Sequence, residues 1–486
     1  MTEQAMPSSR DARRARSALL TSLVVFAATL LGPADAAAEE PAIVVDPAQP
    51  HQRVDGFGFS EAFQRSNIMH GSEGLSPENQ RRVLDLLFDT ESGAGFSILR
   101  NGIGSSPDNS FDHMRSIAPT DPGGPDAEPQ YIWDGSDNSQ VWLAQEAMRY
   151  GVDQIYADAW SAPGYMKTNG IDSNGGELCG MPGTSCPSGD WRQAYADYLV
   201  QYLRFYQQEG IPISHVGFLN EPDLTTDYAS MLATGAQAAD FLKVLGPTLR
   251  KSGLDTKLAC CDATGWQDQA EMLAAIQADP AASAQLDVVT GHGYASPPSE
   301  PLRTDLPVWQ SEWANFDPWT PAWDDQGVDG EGLVWANRIQ QAFTEGNVSA
   351  FFHWWGASAS TANSGLIRLQ GDSVEVSKRL WAFAQFSRFV RPDAVRLGAR
   401  SSIPDVSVSA FRNVDGSIAV QLINNGHQLV TEEVRVPGAN GNRIQPYLTD
   451  NAHDVAELPP IQVRGDSFEA TLPARSIITY QLPARR

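Results

Sequence analysis

Eight times between residues 53 and 356 a short apolar run that reads as a strand comes round again. Most are followed by a segment that reads as a helix. The runs are "RVDGFGFSEAF", "FSILRNGIG", "QIYADAWSAPG", "ISHVGFLNEP", "TKLACCDA", "LDVVTGHGY", "LPVWQSEWA" and "SAFFHWWG". Between them "SPENQRRVLDLLF" offers Ser76 as an N-cap with Pro77 at the first helical position, and "SQVWLAQEAMRYG" closes on Gly151. "DWRQAYADYLVQYLRFYQQEG" and "AQAADFLKVLGPTLRKSG" repeat the helical period. Alternation on this scale predicts parallel strands with crossover helices, and eight units are the number that closes a (β/α)8 barrel.

The pattern changes after "VEVSKRLWAFAQFSRFVRP". "DVSVSAFRNVDGSIAVQLINN" alternates apolar and polar residues across a turn at Asp415 and Gly416, and "LVTEEVRV" and "SFEATLPARSIITYQL" continue the alternation. We therefore expect an antiparallel β side domain over 393–486, a catalytic barrel over 55–392, and a strand from 37–54 ("AIVVD") lent to the side domain. No Pro-, Gly- or Ser-rich linker separates the two parts, so rigid packing is expected.

Residues 1–36 read as an export signal: Arg10, Arg13, Arg14 and Arg16 precede the apolar "SALLTSLVVFAATLL", and Ala34 and Ala36 fit a cleavage site. The expected location is secreted, with no membrane association once the signal is removed. A formal charge of −25 excludes nucleic acid as a partner, because phosphates would be repelled. Four cysteines suit an oxidising compartment. Cys179 and Cys186 bracket the loop "GMPGTS" and are expected to form a disulfide. Cys260 and Cys261 are either buried thiols or a vicinal disulfide. No histidine stands at ligand spacing near either pair, so no zinc site is expected.

In a barrel, functional groups gather where strands end, at the C-terminal face. "HVGFLNEP" delivers Glu221 to that face and "LPVWQSEWA" delivers Glu312. Either acid alone is an ordinary surface carboxylate, but two at strand ends of one barrel make a candidate catalytic pair. Their neighbours suit that role. "SILRNG" brings Arg100, which can hold a carboxylate ionised, and "TGHGY" brings the donors His292 and Tyr294, although His292 also suits a core position. "FFHWWG" brings Trp354 and Trp355, of which strand alternation admits one to the site.

"VDGFGFSEAFQ", "FSILRNGIG", "DAWSAPGYMKTNG", "FLNEPD", "WQSEWA", "FHWWG" and the terminal "LPARSIITYQL", in this order, resemble glycoside hydrolase family 30, retaining glycosidases built on a (β/α)8 barrel with a β side domain. The resemblance implies Glu221 as acid/base and Glu312 as nucleophile. It also implies Asn220 as a ligand of the sugar 2-hydroxyl, Arg100 and Tyr294 as orienting groups for Glu312, and Trp160 with the tryptophans of the eighth strand as sugar platforms. "GFSEAFQR", "LCGMPGTSCPSGDWRQAYADYLVQY" and "ACCDATGW" look most like the xylan-cleaving branch, whose members include glucuronoxylanases and xylobiose-releasing enzymes. That branch places an arginine where Arg65 stands, to recognise a glucuronic acid branch. The implied partner is a polysaccharide, xylan, and no metal or organic cofactor is implied. Branches that cleave β-1,6-galactan or β-1,6-glucan share the pair. A non-catalytic sugar-binding barrel would be expected to have lost one of the two glutamates. No G-x-S-x-G supports a serine hydrolase, and "GFGFSEAF" lacks the third glycine of a dinucleotide loop.

Overall fold

A computed structural model of the chain describes residues 41–110, 112–439 and 443–484. The export signal read at 1–36 lies outside these residues. Strands β1 (Ile43–Arg53), β2 (Gly56–Ser60), β3 (Ile98–Ile103), β4 (Gln154–Ala159), β5 (His215–Val216), β6 (Lys257–Ala263), β7 (Val288–His292), β8 (Val308–Glu312) and β9 (Ala350–Ser358) come first. The hairpin β10 (Gly365–Gln370) and β11 (Ser373–Val376) follows, and the sequence reading did not separate it from its surroundings. Strands β2 to β9 pair in parallel in chain order, and β9 returns to β2 through Gly56↔Ala350 and Phe57↔Phe351. They form the closed eight-stranded parallel barrel that the alternation predicts, and the eight runs quoted above contain its strands, except that β9 continues two residues beyond its run.

The helices sit on the outside for reasons visible in their sequences. They are α1 (Arg65–Met69), α2 (Pro77–Phe88), α3 (Gln140–Arg149), α4 (Arg192–Gln208), α5 (Gly235–Ser252), α6 (Trp266–Gln277), α7 (Pro280–Ser283), α8 (Gly332–Thr344) and α9 (Lys378–Ser387). Ser76 caps α2 by accepting from the Asn79 N–H at 3.4 Å. Thr234 and Gln237 form a capping box at the start of α5, which ends where Gly253 takes φ 76°. Ile98, Tyr156, Trp309 and Phe352 fill the barrel interior from four strands.

The side domain adds β12 (Val395–Ser401), β13 (Val406–Arg412), β14 (Ile418–Asn424), β15 (Val430–Arg435), β16 (Arg443–Thr449), β17 (Ala456–Glu457), β18 (Ile461–Gln462), β19 (Ser467–Leu472) and β20 (Ser476–Leu482). Its strand order is β17-β16-β20-β14-β13-β12-β1-β15-β19, antiparallel except where β1 meets β15. The side domain meets the barrel through buried polar contacts. Gln385 on α9 donates to Tyr447 O at 3.0 Å and to Thr449 Oγ1 at 2.8 Å, and accepts from Thr479 Oγ1 at 2.6 Å. Trp323 Nε1 donates to Arg475 O at 2.7 Å. Gln385→Leu removes these three side-chain bonds, although Thr479 Oγ1 keeps the Gln385 carbonyl and Thr449 Oγ1 the Val455 N–H, so chemical denaturation should show a loss of about 1–3 kcal/mol. Unchanged stability would show that these bonds do not join the domains.

Candidate active site

The C-terminal ends of β4, β5, β6 and β8 converge on one buried guanidinium. Arg100, the third residue of β3, is fully buried. Its Nη1 donates to Glu312 Oε2, and its Nη2 donates to Asn220 Oδ1 at 2.6 Å, Asp158 Oδ2 at 2.7 Å and Asp262 Oδ1 at 3.4 Å. Burial alone would favour losing the proton, but Glu312, Asp262 and Asp158 more than offset it and hold the pKa above its ordinary value. The side chain is also sandwiched between rings, with Cζ 4.6 Å from the Trp160 centroid and 5.6 Å from that of Tyr156.

Asp262, at the end of β6, is the second anchor. It accepts from Tyr156 Oη at 2.5 Å, Thr290 Oγ1 at 2.6 Å and Ser311 Oγ at 2.6 Å. Against its burial, Arg100 and His292 bring its pKa down to about 2. Burial and the Asp262 charge push the Asp158 carboxyl the other way, up to about 8. Sequence reasoning passed over both residues, although each stands at or near the end of a barrel strand, where the rule that found Glu221 and Glu312 would have found them.

Glu312 ends β8. Its Oε1 accepts from Tyr294 Oη at 2.9 Å and its Oε2 from Arg100. Burial raises its pKa, and His292 and Arg100 pull back toward the ionised form. Glu221 follows β5 with φ 47°, a left-handed conformation that an ordinary residue rarely adopts, and Asp262 has φ 54°. Gly217 lets the chain approach there, since a Cβ on it would stand 2.1 Å from Asp158 Oδ1. Glu221 lies 3.2 Å from His292 Nδ1 through Oε1 and 3.4 Å from Tyr228 Oη through Oε2. One oxygen of Glu221, one oxygen of Glu312 and one ring nitrogen of His292 all lie within 4.8 Å of each other. Such a trio can ligate a cation, but Glu312, Asp262 and Glu221 outweigh burial and raise the His292 pKa to about 10. In its protonated form His292 offers its Nδ1–H to Glu221 Oε1.

The pocket above the pair has a volume of about 420 Å³ and an aromatic wall of Phe63, Trp160, Trp354 and Trp355. Both tryptophans of β9 line it, against the expectation of one. The pairing of β2 with β9 steps from Phe59↔His353 to Ser60↔Trp355, a bulge that skips Trp354, and the rings stack 5.0 Å apart. Arg65 also departs from expectation. It is not open to a ligand: Cζ lies 3.9 Å over the Trp355 ring, Nη1 donates to Phe63 O at 2.5 Å, and the guanidinium pairs with Asp112. Residue type gave no hint of Asp112, Leu224 or Phe316, which complete the pocket rim.

Comparison with known proteins now decides the family. The sequence profile of O-glycosyl hydrolase family 30 matches residues 40–288, and that of the family 30 β-sandwich domain matches residues 393–480. The chain belongs to glycoside hydrolase family 30. Among solved family 30 structures, the catalytic domain of GH30 xylanase C from Talaromyces cellulolyticus is 44% identical with TM-score 0.85, covering 91% of this chain and 100% of that one. The endo-1,6-β-D-glucanase of Trichoderma harzianum is 26% identical over 446 residues, 88% of this chain and 84% of its own. The glucuronoxylanase of Bacillus subtilis is 24% identical over 351 residues, 70% and 76% of the two chains. This family 30 chain is a glycosidase, with both expected disulfide cysteines, Cys179 and Cys186, bonded and Cys260 bonded to Cys261.

His292 gives the site a testable pH signature. Its folded pKa is raised from 6.5 to about 10, so the stability it contributes is full below pH 6.5 and lost as pH rises through about 10. The stability difference between wild type and His292→Gln should therefore shrink across that window in denaturant titrations. A difference that grows with pH would contradict a protonated His292.

Proposed function

We propose that this chain is a secreted retaining glycosidase that cleaves β-1,4-xylan, glucuronoxylan included. The observation that supports the mechanism best is the spacing of the pair: carboxyl oxygens of Glu221 and Glu312 within 4.8 Å. Retaining enzymes hold the two groups roughly 5–5.5 Å apart, and inverting ones need roughly 6.5–9.5 Å to admit a water. In the first step a Glu312 oxygen attacks the anomeric carbon while Glu221 gives its proton to the departing glycosidic oxygen. The Glu312 charge is consumed in the glycosyl ester. In the second step Glu221 takes a proton from water, the water oxygen attacks the same carbon, and Glu312 leaves as a carboxylate. Two inversions return the original configuration.

The remaining site residues take their roles from what they touch. Arg100 and Tyr294 each engage one oxygen of Glu312, so the attacking group is held still. Asn220 spends its Oδ1 on Arg100, which leaves its amide N–H groups for a sugar hydroxyl. Trp160, Trp354 and Trp355 offer rings to the sugar faces. Xylan is favoured by the 44% identity to a xylanase across 91% of the chain. A β-1,6-glucan substrate is the second reading, favoured by the glucanase relative aligned over 88% of the chain. In our reading Arg65 stiffens Trp355 instead of binding glucuronate. Export is supported by residues 1–36 and by two disulfides, and no helix among the described residues is long and apolar enough to cross a membrane.

Chromatography of products from glucuronoxylan, unsubstituted xylan, β-1,6-galactan and β-1,6-glucan tests the substrate. Release from both xylans is expected, and release from a β-1,6-linked polymer alone would overturn the xylan reading. Glu221→Ala should lower kcat on the polymer by about 10²–10⁴, and by much less on substrates with good leaving groups. An equal loss on both would contradict the acid role.

A further inference from the structure

A second groove, of about 600 Å³, runs down the flank of the barrel and shares no lining residue with the catalytic pocket. One wall is the outward face of α4, where Asp197, Gln201 and Arg204 follow one another at helical spacing. From Gln193 to Arg204 this face extends about 16 Å at 1.5 Å per residue, room for several sugar rings in a row. Lys251, from the end of α5, closes one side. The facing wall is the segment 118–131, stiffened by Pro122, Pro125 and Pro129.

The groove is furnished as a binding site. Tyr165 is pinned by its hydroxyl, which donates to Ala118 O at 2.9 Å, and by an edge contact with Trp191 at 5.3 Å. Tyr131 rests against Phe205 at 6.4 Å. The Tyr131 hydroxyl and the side chains of Gln201, Arg204, Lys251, Asp126 and Glu128 make no hydrogen bond within the described residues. Two fixed rings with unspent donors and acceptors of both signs suit an uncharged, polyhydroxylated ligand. An anionic polymer is disfavoured, because four carboxylates face two cations here and the whole chain carries −25.

We infer that this groove binds a stretch of the polysaccharide outside the catalytic pocket and keeps the polymer on the enzyme between cleavages. The inference rests on the reading of the chain as a polysaccharide hydrolase, not on which polymer is cut. It is tested with Glu312→Gln protein in native gels containing unsubstituted xylan, β-1,6-glucan or β-1,6-galactan. One polymer should retard the protein, and adding either Tyr131→Ala or the exposed pair Arg204→Ala with Lys251→Ala should weaken retention about threefold or more. In the active background the same substitutions should leave kcat/KM on a short oligosaccharide of that polymer unchanged. Unweakened retention, no retention of the parent by any of the three, or an equal fall on oligosaccharide and polymer would overturn the inference. Retention and cleavage with a β-1,6-linked polymer alone would sink the xylan reading and leave the groove standing.

Discussion

One buried cation sets the terms for the rest of this molecule. Arg100 is fully buried, and its charge is tolerated only because Glu312, Asp158, Asn220 and Asp262 supply oxygens to it from four other strand ends. Those residues are 58 to 212 positions away in sequence, so nothing short of a closed barrel in correct register assembles them. The backbone yields to that requirement. Glu221 and Asp262 hold positive φ, and Gly217 stands where any side chain would collide with Asp158. His292 then adds a second positive charge between the two glutamates, 3.2 Å from one and 3.8 Å from the other. In the proposed reaction this frame stays fixed while charge moves from Glu312 to the sugar and back.

The aromatic wall is built on the same logic of support from behind. Bulging of β9 turns Trp354 and Trp355 to one side, and Arg65 Cζ stands 3.9 Å from the Trp355 ring centroid. Next to it Glu61 accepts from the Ala357 N–H at 2.6 Å, just beyond the bulge, and burial raises its pKa well above the carboxylate range. The Glu61 carboxyl and a paired arginine thus fasten the strand that carries two rings of the aromatic wall.

Much of this was legible in the sequence. Period and spacing showed the eight strands, and the strand-end rule showed Glu221, Glu312, Arg100, His292 and Tyr294. The side domain followed from a change of period near residue 395. What escaped depends on where side chains turn once the chain is closed. Alternation along a strand says nothing of a bulge, so Trp354 was held apart from Trp355. Arginine is usually exposed, so burial of Arg65 against Trp355 had no signal in residue type. Asp158 and Asp262 stood at strand ends in plain view, but an aspartate without a visible partner is one of many.

The account turns on Glu312 being the group that bonds to the sugar. Incubation with a 2-deoxy-2-fluoro xylobioside carrying a good leaving group, followed by proteolysis and mass spectrometry, tests that claim most directly. The mechanism predicts a glycosyl adduct on the peptide containing Glu312, at that side chain. An adduct on Glu221, or hydrolysis of the parent substrate with no adduct trapped on either glutamate, would contradict it.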